Sequence, residues 1–176
     1  MPVVAVIGCQ WGDEGKGKIV DLLAEQSSVV ARCNGGPNAG HTIVNEFGTF
    51  RQRLIPSGIF NPQAVCIIGN GVVVDLSILL DEMQTLTDAG IDVSRLLISD
   101  RAHVIMPYHK MLDALEDDAR AKSGSALGTT RRGIGPVYVD KIARTGIRMG
   151  DLVHEETLLT KLSHVLPAKN EVLIKL

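Results

Sequence analysis

The chain has 176 residues, of which 45% are hydrophobic and 22% charged, and its formal net charge is −2 at pH 7. This composition is typical of a globular protein with one sizeable core, and the near-neutral charge does not indicate a nucleic-acid-binding surface. No apolar run approaches the ~20 residues of a membrane-spanning helix, and we find no export signal. Cys9, Cys33 and Cys66 lack metal-like spacing, so we expect three reduced thiols in a cytoplasmic protein.

A glycine- and lysine-rich segment follows the first apolar run. Residues 3–7 are apolar and predict a short buried strand, and residues 12–18 then read Gly-Asp-Glu-Gly-Lys-Gly-Lys. Glycines let backbone N–H groups turn toward an anion, lysines supply positive charge, and the following helix adds its positive N-terminal end. The segment therefore predicts a loop that holds the phosphates of a nucleotide.

The match to the phosphate-loop pattern G-x-x-x-x-G-K is partial. Gly12, Gly17 and Lys18 fit it, but Ile19 stands where a Ser or Thr would hold magnesium. A metal ion then needs another oxygen ligand, for which Asp13 is the obvious candidate. The alternative is a glycine-rich surface turn with solvated charges. The helix after the loop is predicted to bury an apolar face formed by Ile19, Val20, Leu22 and Leu23.

The rest of the chain alternates strand and helix patterns. In chain order, the patterns predict a strand at 29–33, a hairpin at 42–45 and 50–54, a strand at 64–68 closed by glycines, a helix at 76–89, a strand at 96–99, and helices at 107–121, 138–144 and 156–166. This order favours an α/β fold with a mostly parallel central sheet flanked by helices. Because residues 171–176 are mostly apolar and lack a turn signal, we expect a truncated chain.

Two more glycine-rich segments lie at residues 34–41 and 128–136. The first of them follows a predicted strand, as the phosphate loop does, so both are expected to face one crevice beyond the carboxyl ends of the strands. His41 is then a candidate proton donor or a charge partner of a phosphoryl oxygen, the alternative being a histidine packed at a strand start. The two arginines at 131 and 132 suit phosphate binding, the alternative being a solvent loop. We treat the other four histidines as surface or packing residues.

Five strings taken together resemble the adenylosuccinate synthetase family. They are QWGDEGKGK at 10–18, GGPNAGH at 35–41, LIPSG at 54–58, IIGNG at 67–71 and GTTRRGIGP at 128–136. The resemblance runs from the first predicted strand to about residue 152, with order and spacing kept throughout, and the first string is highly specific.

The resemblance implies a ligase of purine biosynthesis that joins IMP to L-aspartate with GTP and Mg²⁺, through 6-phosphoryl-IMP. It implies that Asp13 is the catalytic base and a magnesium ligand, that His41 is the acid, that Lys16 contributes positive charge, and that the backbone oxygen of Gly40 is a second metal ligand. It further implies a homodimer in which Arg144 reaches the nucleotide of the other subunit. The nucleotide-binding set comprises Gly12, Asp13, Glu14, Gly15, Lys16, Gly17, Lys18, Asn38, Ala39, Gly40, His41, Thr42, Thr130 and Arg144.

The length of the chain departs from the family, whose members are more than twice as long. We therefore expect residues 1–176 to form the N-terminal part of a single larger synthetase domain, to lack the guanine- and aspartate-recognition residues, and to be inactive or nearly so alone. Two alternatives remain open. One is a P-loop-type ATPase or ligase with a two-lysine phosphate loop, and the other is a nucleotide-binding module without catalysis.

Overall fold

The computed structural model describes residues 2–9, 15–38, 40–125 and 128–176. The helices are α1 (Lys16–Ala24), α2 (Leu76–Asp88), α3 (Pro107–Lys122), α4 (Ile134–Ala143) and α5 (Glu155–Lys175). The strands are β1 (Val29–Gly35), β2 (His41–Asn45), β3 (Gly48–Gln52), β4 (Val65–Val74), β5 (Leu96–Ile98) and β6 (His103–Val104), with 3-10 helices at Ser57–Phe60 and Met149–Val153. Within these ranges no helix has the length and apolar character needed to cross a bilayer.

A parallel sheet is built around β4. β1 and β5 pair with it on either side, and β6 pairs with its C-terminal end. The antiparallel hairpin of β2 and β3 is separate from this sheet. The predicted α/β class with a mostly parallel sheet is thus confirmed. Because β1 and β4 run parallel, the second glycine-rich segment leaves the sheet at the edge formed by the C-terminal ends of the strands.

The hydrophobic core lies between the sheet, α2 and the segment that follows β3. Asp75 caps α2 by accepting hydrogen bonds from Ser77 N–H over 3.2 Å and from Ser77 Oγ over 2.7 Å, and Gly90 ends the helix with φ 78. The helix predicted at 76–89 is confirmed. Its buried Leu79 and Leu86 belong to a cluster that also includes Leu54, Ile55, Ile59, Cys66, Ile68, Val72 and Val74.

The glycines predicted to close a strand at residue 68 lie inside β4, so that prediction is wrong. A Cβ on Gly71 would lie 2.1 Å from Cys33 O, and one on Gly69 would lie 3.0 Å from Arg32 O. The register of β1 against β4 shifts between Arg32 and Asn34. These glycines allow the backbones of β1 and β4 to approach closely at that irregularity. A glycine in a strand can therefore mark a close approach of two backbones as well as the end of the strand.

Residues 3–7 form no strand, which contradicts the prediction of a first strand before the phosphate loop. Val3, Val4 and Ile7 are 94%, 67% and 77% exposed. No strand of the described ranges pairs with this segment. An extended segment without a neighbour leaves its N–H and C=O groups unpaired, so its apolar sequence alone does not make it a strand.

The predicted apolar face of α1 is largely wrong as well. Ile19, Leu22 and Leu23 are exposed, whereas Ala24 is buried and Val20 packs against the core. At 3.6 residues per turn these four residues lie on one face of the helix, about 160° wide, so the pattern is amphipathic, but only part of that face packs against the described core.

A buried polar network joins α3, α4 and α5. His109 Nδ1 accepts a hydrogen bond from Met106 N–H over 2.9 Å, so its Nε2 carries the proton and donates to Asp140 Oδ2 over 2.9 Å. Lys169 of α5 also pairs with Asp140. α5 extends to Lys175, beyond its predicted end at 166, although Pro167 lies inside it. None of its residues is fully buried, but Leu158, Leu162, Val165 and Leu173 are half-buried along one face, so partial apolar packing contributes beside the ion pair.

Candidate functional site

The edge of the sheet brings the first and second glycine-rich segments together. Gly15 has φ 78, in the left-handed region that favours glycine, and α1 begins at the next residue. A Cβ on Gly17 would lie 3.0 Å from His41 Nδ1. The imidazole therefore lies directly against the first turn of α1, where glycine leaves room for it. This contact agrees with the prediction that the two segments face one crevice.

Arginines from three parts of the chain hydrogen-bond to the second segment. Arg32 Nη2 donates to Gly36 O over 2.8 Å. Arg132 Nη1 donates to Pro37 O over 3.2 Å, and Arg53 Nη1 lies 3.5 Å from the same oxygen. Through Arg132 the third glycine-rich segment reaches the second. Three guanidinium groups thus bind the carbonyls of Gly36 and Pro37 in this segment.

Tyr138 of α4 connects the second segment to β4. Its hydroxyl accepts a hydrogen bond from Gly35 N–H over 3.0 Å and donates to Gly71 O over 2.8 Å. Gly35 has φ 83, and the chain turns away from the sheet after it. The hydroxyl therefore bridges the backbones of β1 and β4 at the point where the second segment leaves the sheet.

Tyr138→Phe removes both hydrogen bonds and leaves the two backbone groups without that partner. We expect the free energy of unfolding to fall by about 1–2 kcal/mol, measured by urea denaturation. Tyr108→Phe is the matched control. Tyr108 is 5% exposed, its hydroxyl has no hydrogen-bond partner in the part of the chain described, and burial raises its pKa to about 12. Because a buried hydroxyl without a partner costs free energy, removing it should leave stability unchanged or raise it; equal losses in the two variants would contradict the assignment.

Positive charge surrounds the imidazole of His41. Burial lowers the pKa of His41, and the neighbouring cations Arg32 and Lys16 lower it further. The ring is thus half-buried, with the positive charges of Arg32 in β1 and Lys16 in α1 close enough to act on it. Such a field favours an anion, and a bound anion would in turn favour protonation of the ring.

The structure places the other candidate residues unequally. Gly12, Asp13, Glu14 and Ala39 lie outside the described residues. Lys16, Gly17 and Lys18 form the first turn of α1, against which the His41 imidazole lies. Asn38, Gly40 and Thr42 are near neighbours of His41 in the chain. Thr130 is exposed in the segment before α4, and Arg144 is exposed just beyond its C-terminal end.

Sequence reasoning missed Arg32, Arg53, Tyr138 and Glu82, which bind main-chain atoms of residues 35–37, 53–55 and 71. Their partners are main-chain atoms distant in the chain, and main-chain partners leave no motif. One signal was present in the sequence: Arg32 is a charged residue within the strand predicted at 29–33, and a charge that a sheet buries needs partners. No three-residue group of His, Cys, Asp or Glu with a metal-binding arrangement occurs among the described residues.

Comparison with known proteins gives one consistent family. The family model of adenylosuccinate synthetase matches residues 5–176. The adenylosuccinate synthetase of Dehalococcoides mccartyi is 54% identical over 99% of this chain, and that of Moorella thermoacetica is 54% identical over 100%. The chain spans 41% of the length of each of these relatives.

Two solved structures share the fold. A fully ligated adenylosuccinate synthetase from Plasmodium falciparum has a TM-score of 0.85 and 37% identity, over 94% of this chain and 39% of that one. A succinoaminodeoxyadenylate synthetase of cyanophage S-2L, bound to dGMP and to dATP as an energy donor, has a TM-score of 0.62 and 31% identity, over 84% of this chain and 41% of that one. The chain belongs to the adenylosuccinate synthetase family.

Proposed function

We propose that this chain is the N-terminal part of a GTP-dependent ligase that joins IMP and L-aspartate to give adenylosuccinate. The observation that carries the proposal is the contact of the His41 imidazole with Gly17, at the start of a helix that begins with Lys16. Phosphoryl transfer needs positioning and charge neutralisation more than covalent participation by the protein. A helix N-terminus, lysines and an imidazole at one point supply both, and family membership supports the choice of substrates.

In the proposed reaction, Asp13 removes the proton from N1 of IMP. The 6-oxygen attacks the γ-phosphorus of GTP, the bond to the bridging oxygen breaks, and GDP leaves. His41 donates a hydrogen bond to the 6-oxygen or the transferring phosphoryl group, while Lys16 and Lys18 neutralise phosphate charge. The amine of aspartate then attacks C6, the amine loses a proton, and phosphate departs. Asn38 and Thr130 hold the inosine nucleotide in this arrangement.

Magnesium fits the oxygen donors that the proposal assigns to it. Asp13 would offer a carboxylate and Gly40 a backbone carbonyl, and phosphate oxygens and water complete the kind of set that Mg²⁺ prefers. A Cβ on Gly40 would meet no described atom within 4 Å, so the space beside this residue is open to a ligand. When bound, the ion would neutralise charge on the phosphates.

The proposed enzyme is a cytoplasmic homodimer in which residues 1–176 belong to a single larger domain. Arg144 would reach the nucleotide held by the partner subunit. Its exposure at the C-terminal end of α4 supports a contact with another chain.

A hybrid protein tests the reaction directly. Residues 1–176 are fused to the C-terminal remainder of the Dehalococcoides mccartyi relative, and this hybrid synthetase is assayed by absorbance with GTP, IMP, L-aspartate and Mg²⁺. We expect product from the hybrid synthetase and little or none from residues 1–176 alone. A hybrid synthetase that melts cooperatively but forms no product, beside an active intact relative, would overturn the proposal.

The second candidate is a ligase that uses ATP. The observation in its favour is the phage relative, whose structure holds dATP as an energy donor. Replacing GTP by ATP in the same assay separates the two: product with ATP and none with GTP would reject the GTP assignment. A non-catalytic binding module would instead bind nucleotide without turnover in the hybrid synthetase.

The pKa of His41 tests the charge environment without any turnover. Because burial, Arg32 and Lys16 all lower it, we expect a value below the ordinary 6.5 in the chain without nucleotide, and an uncharged ring at pH 7. A bound phosphate opposes the two cations, so the pKa should rise when GTP and Mg²⁺ are added. The measurement is an NMR titration of the imidazole Hε1 resonance, assigned with His41→Asn. A value above 6.5 without nucleotide, or a decrease on binding, would contradict this account.

A further inference from the structure

Arg32 donates hydrogen bonds at both ends of the chain segment that carries His41. At the start of the segment, Arg32 Nη2 donates to Gly36 O over 2.8 Å. At its end, Arg32 Nη1 donates to Arg53 O and lies 3.5 Å from Leu54 O. Residues 37–52, here called the His41 segment, lie between these points and include the whole β2–β3 hairpin. One side chain of β1 thus closes the base of the hairpin.

Glu82 of α2 binds the end of the His41 segment through the opposite backbone groups. Its carboxylate accepts hydrogen bonds from Arg53 N–H over 2.5 Å, from Leu54 N–H over 3.1 Å and from Ile55 N–H over 3.0 Å. Glu82 is 8% exposed, so these amides replace the water that a buried carboxylate needs. Burial lowers the pKa of Arg32, and the negative charge of Glu82 opposes this. The carbonyls of residues 53 and 54 thus face a cation, and the neighbouring amides face an anion.

We propose that Arg32 and Glu82 are positioning residues that hold the His41 segment so that the imidazole stays against the first turn of α1. A planar guanidinium has five N–H donors on three nitrogens and can donate to carbonyls in two segments at once. A lysine ammonium has all its donors on one nitrogen. Fixing both ends of a loop reduces the conformations open to the residues inside it. The effect of Arg32 and Glu82 on catalysis rests on the proposed function, whereas their effect on the position of the His41 segment does not.

Arg32→Lys tests the positioning role, and Arg95→Lys is its matched control. Arg95 also donates to several backbone carbonyls, those of Ile59, Asn61 and Ala64 over 3.1, 2.6 and 2.5 Å, but away from the His41 segment. Hydrogen exchange of the 176-residue chain is measured by NMR without nucleotide. In Arg32→Lys we expect the amides of β2 and β3 to exchange about tenfold faster relative to those of β4, which corresponds to about 1.4 kcal/mol. In Arg95→Lys this ratio should not change.

A purely structural role for Arg32 would accelerate exchange in the hairpin and in β4 alike, and that result, or no change at all, would overturn the proposal. Should Arg32→Lys fail to fold, Glu82→Gln decides, because its amide NH₂ replaces one acceptor oxygen while the side chain keeps its shape. The same hairpin-specific acceleration is expected there, and uniform acceleration would reject the proposal.

In the hybrid synthetase, Arg32→Lys should lower kcat by about 10–100-fold through misplacement of His41, while Arg95→Lys keeps the original value. An unchanged kcat in Arg32→Lys would overturn the link to catalysis. If the hybrid synthetase itself is inactive, the proposed function fails, yet the exchange measurement on the 176-residue chain still decides whether Arg32 positions the segment.

Discussion

His41→Asn is expected to lower kcat of the hybrid synthetase by about 10²–10⁴-fold and to change the affinity for GTP by less than about threefold. The asparagine amide keeps a polar group beside Gly17, but it neither carries a positive charge nor transfers a proton. The loss should therefore fall on the transition state, in which charge moves onto the transferring phosphoryl group, rather than on nucleotide binding.

Steady-state kinetics and a fluorescence titration with a labelled GTP analogue separate these two effects. The control is His164→Asn, since His164 is exposed on α5 and hydrogen-bonds to Thr160 O over 2.7 Å, within its own helix. This variant should keep the original kcat. Unchanged turnover in His41→Asn would remove His41 from the mechanism, and a large loss of GTP affinity with unchanged kcat would make it a binding residue.

Gly71→Ala is expected to lower the free energy of unfolding by about 3 kcal/mol or more. The added methyl carbon would lie 2.1 Å from Cys33 O and 3.2 Å from Cys33 C, both backbone atoms of β1 that cannot rotate away. β1 must then separate from β4 where Tyr138 joins Gly35 to Gly71. We therefore expect the second glycine-rich segment to be displaced as well.

Urea denaturation measures the effect, with Gly135→Ala as the matched glycine control. A Cβ on Gly135 would meet no described atom within 4 Å, and the residue lies inside α4, where alanine is favoured over glycine by up to about 1 kcal/mol. Gly135→Ala should therefore leave stability unchanged or raise it. A loss below about 1 kcal/mol in Gly71→Ala would show that the strands can separate without cost.

The elements that were predictable from sequence are those whose ends are set locally. α2 begins with a cap two residues from its partner and ends at a glycine with positive φ, so neighbours in the chain contain all the information. The hairpin at 41–52 was predicted for the same reason, from a short turn between two strand patterns. The first strand failed because residues 3–7 depend on a neighbouring strand for their hydrogen bonds, and no local pattern reports whether one is present.

The candidate site divides in the same way. Residue types that bear chemistry, such as the lysines of the first segment and His41, are visible as motifs because glycines and charges are concentrated there. Arg32, Glu82 and Tyr138 were missed because each binds main-chain atoms, and every residue presents the same main chain. Only the fold shows which main-chain atoms they bind: Arg32 and Glu82 bind the two ends of the His41 segment, and Tyr138 binds Gly35 and Gly71.

By itself, the sequence determined the alternation of strands and helices, and it predicts a phosphate-binding loop in the first segment and roles for Lys16 and His41, because composition and short-range spacing carry that information. The tertiary structure decided that His41 lies against Gly17, that Gly71 separates two backbones instead of ending a strand, and that Arg32 closes the base of the hairpin. These facts are distances between segments far apart in the chain, and such distances follow from the packing of the whole sheet.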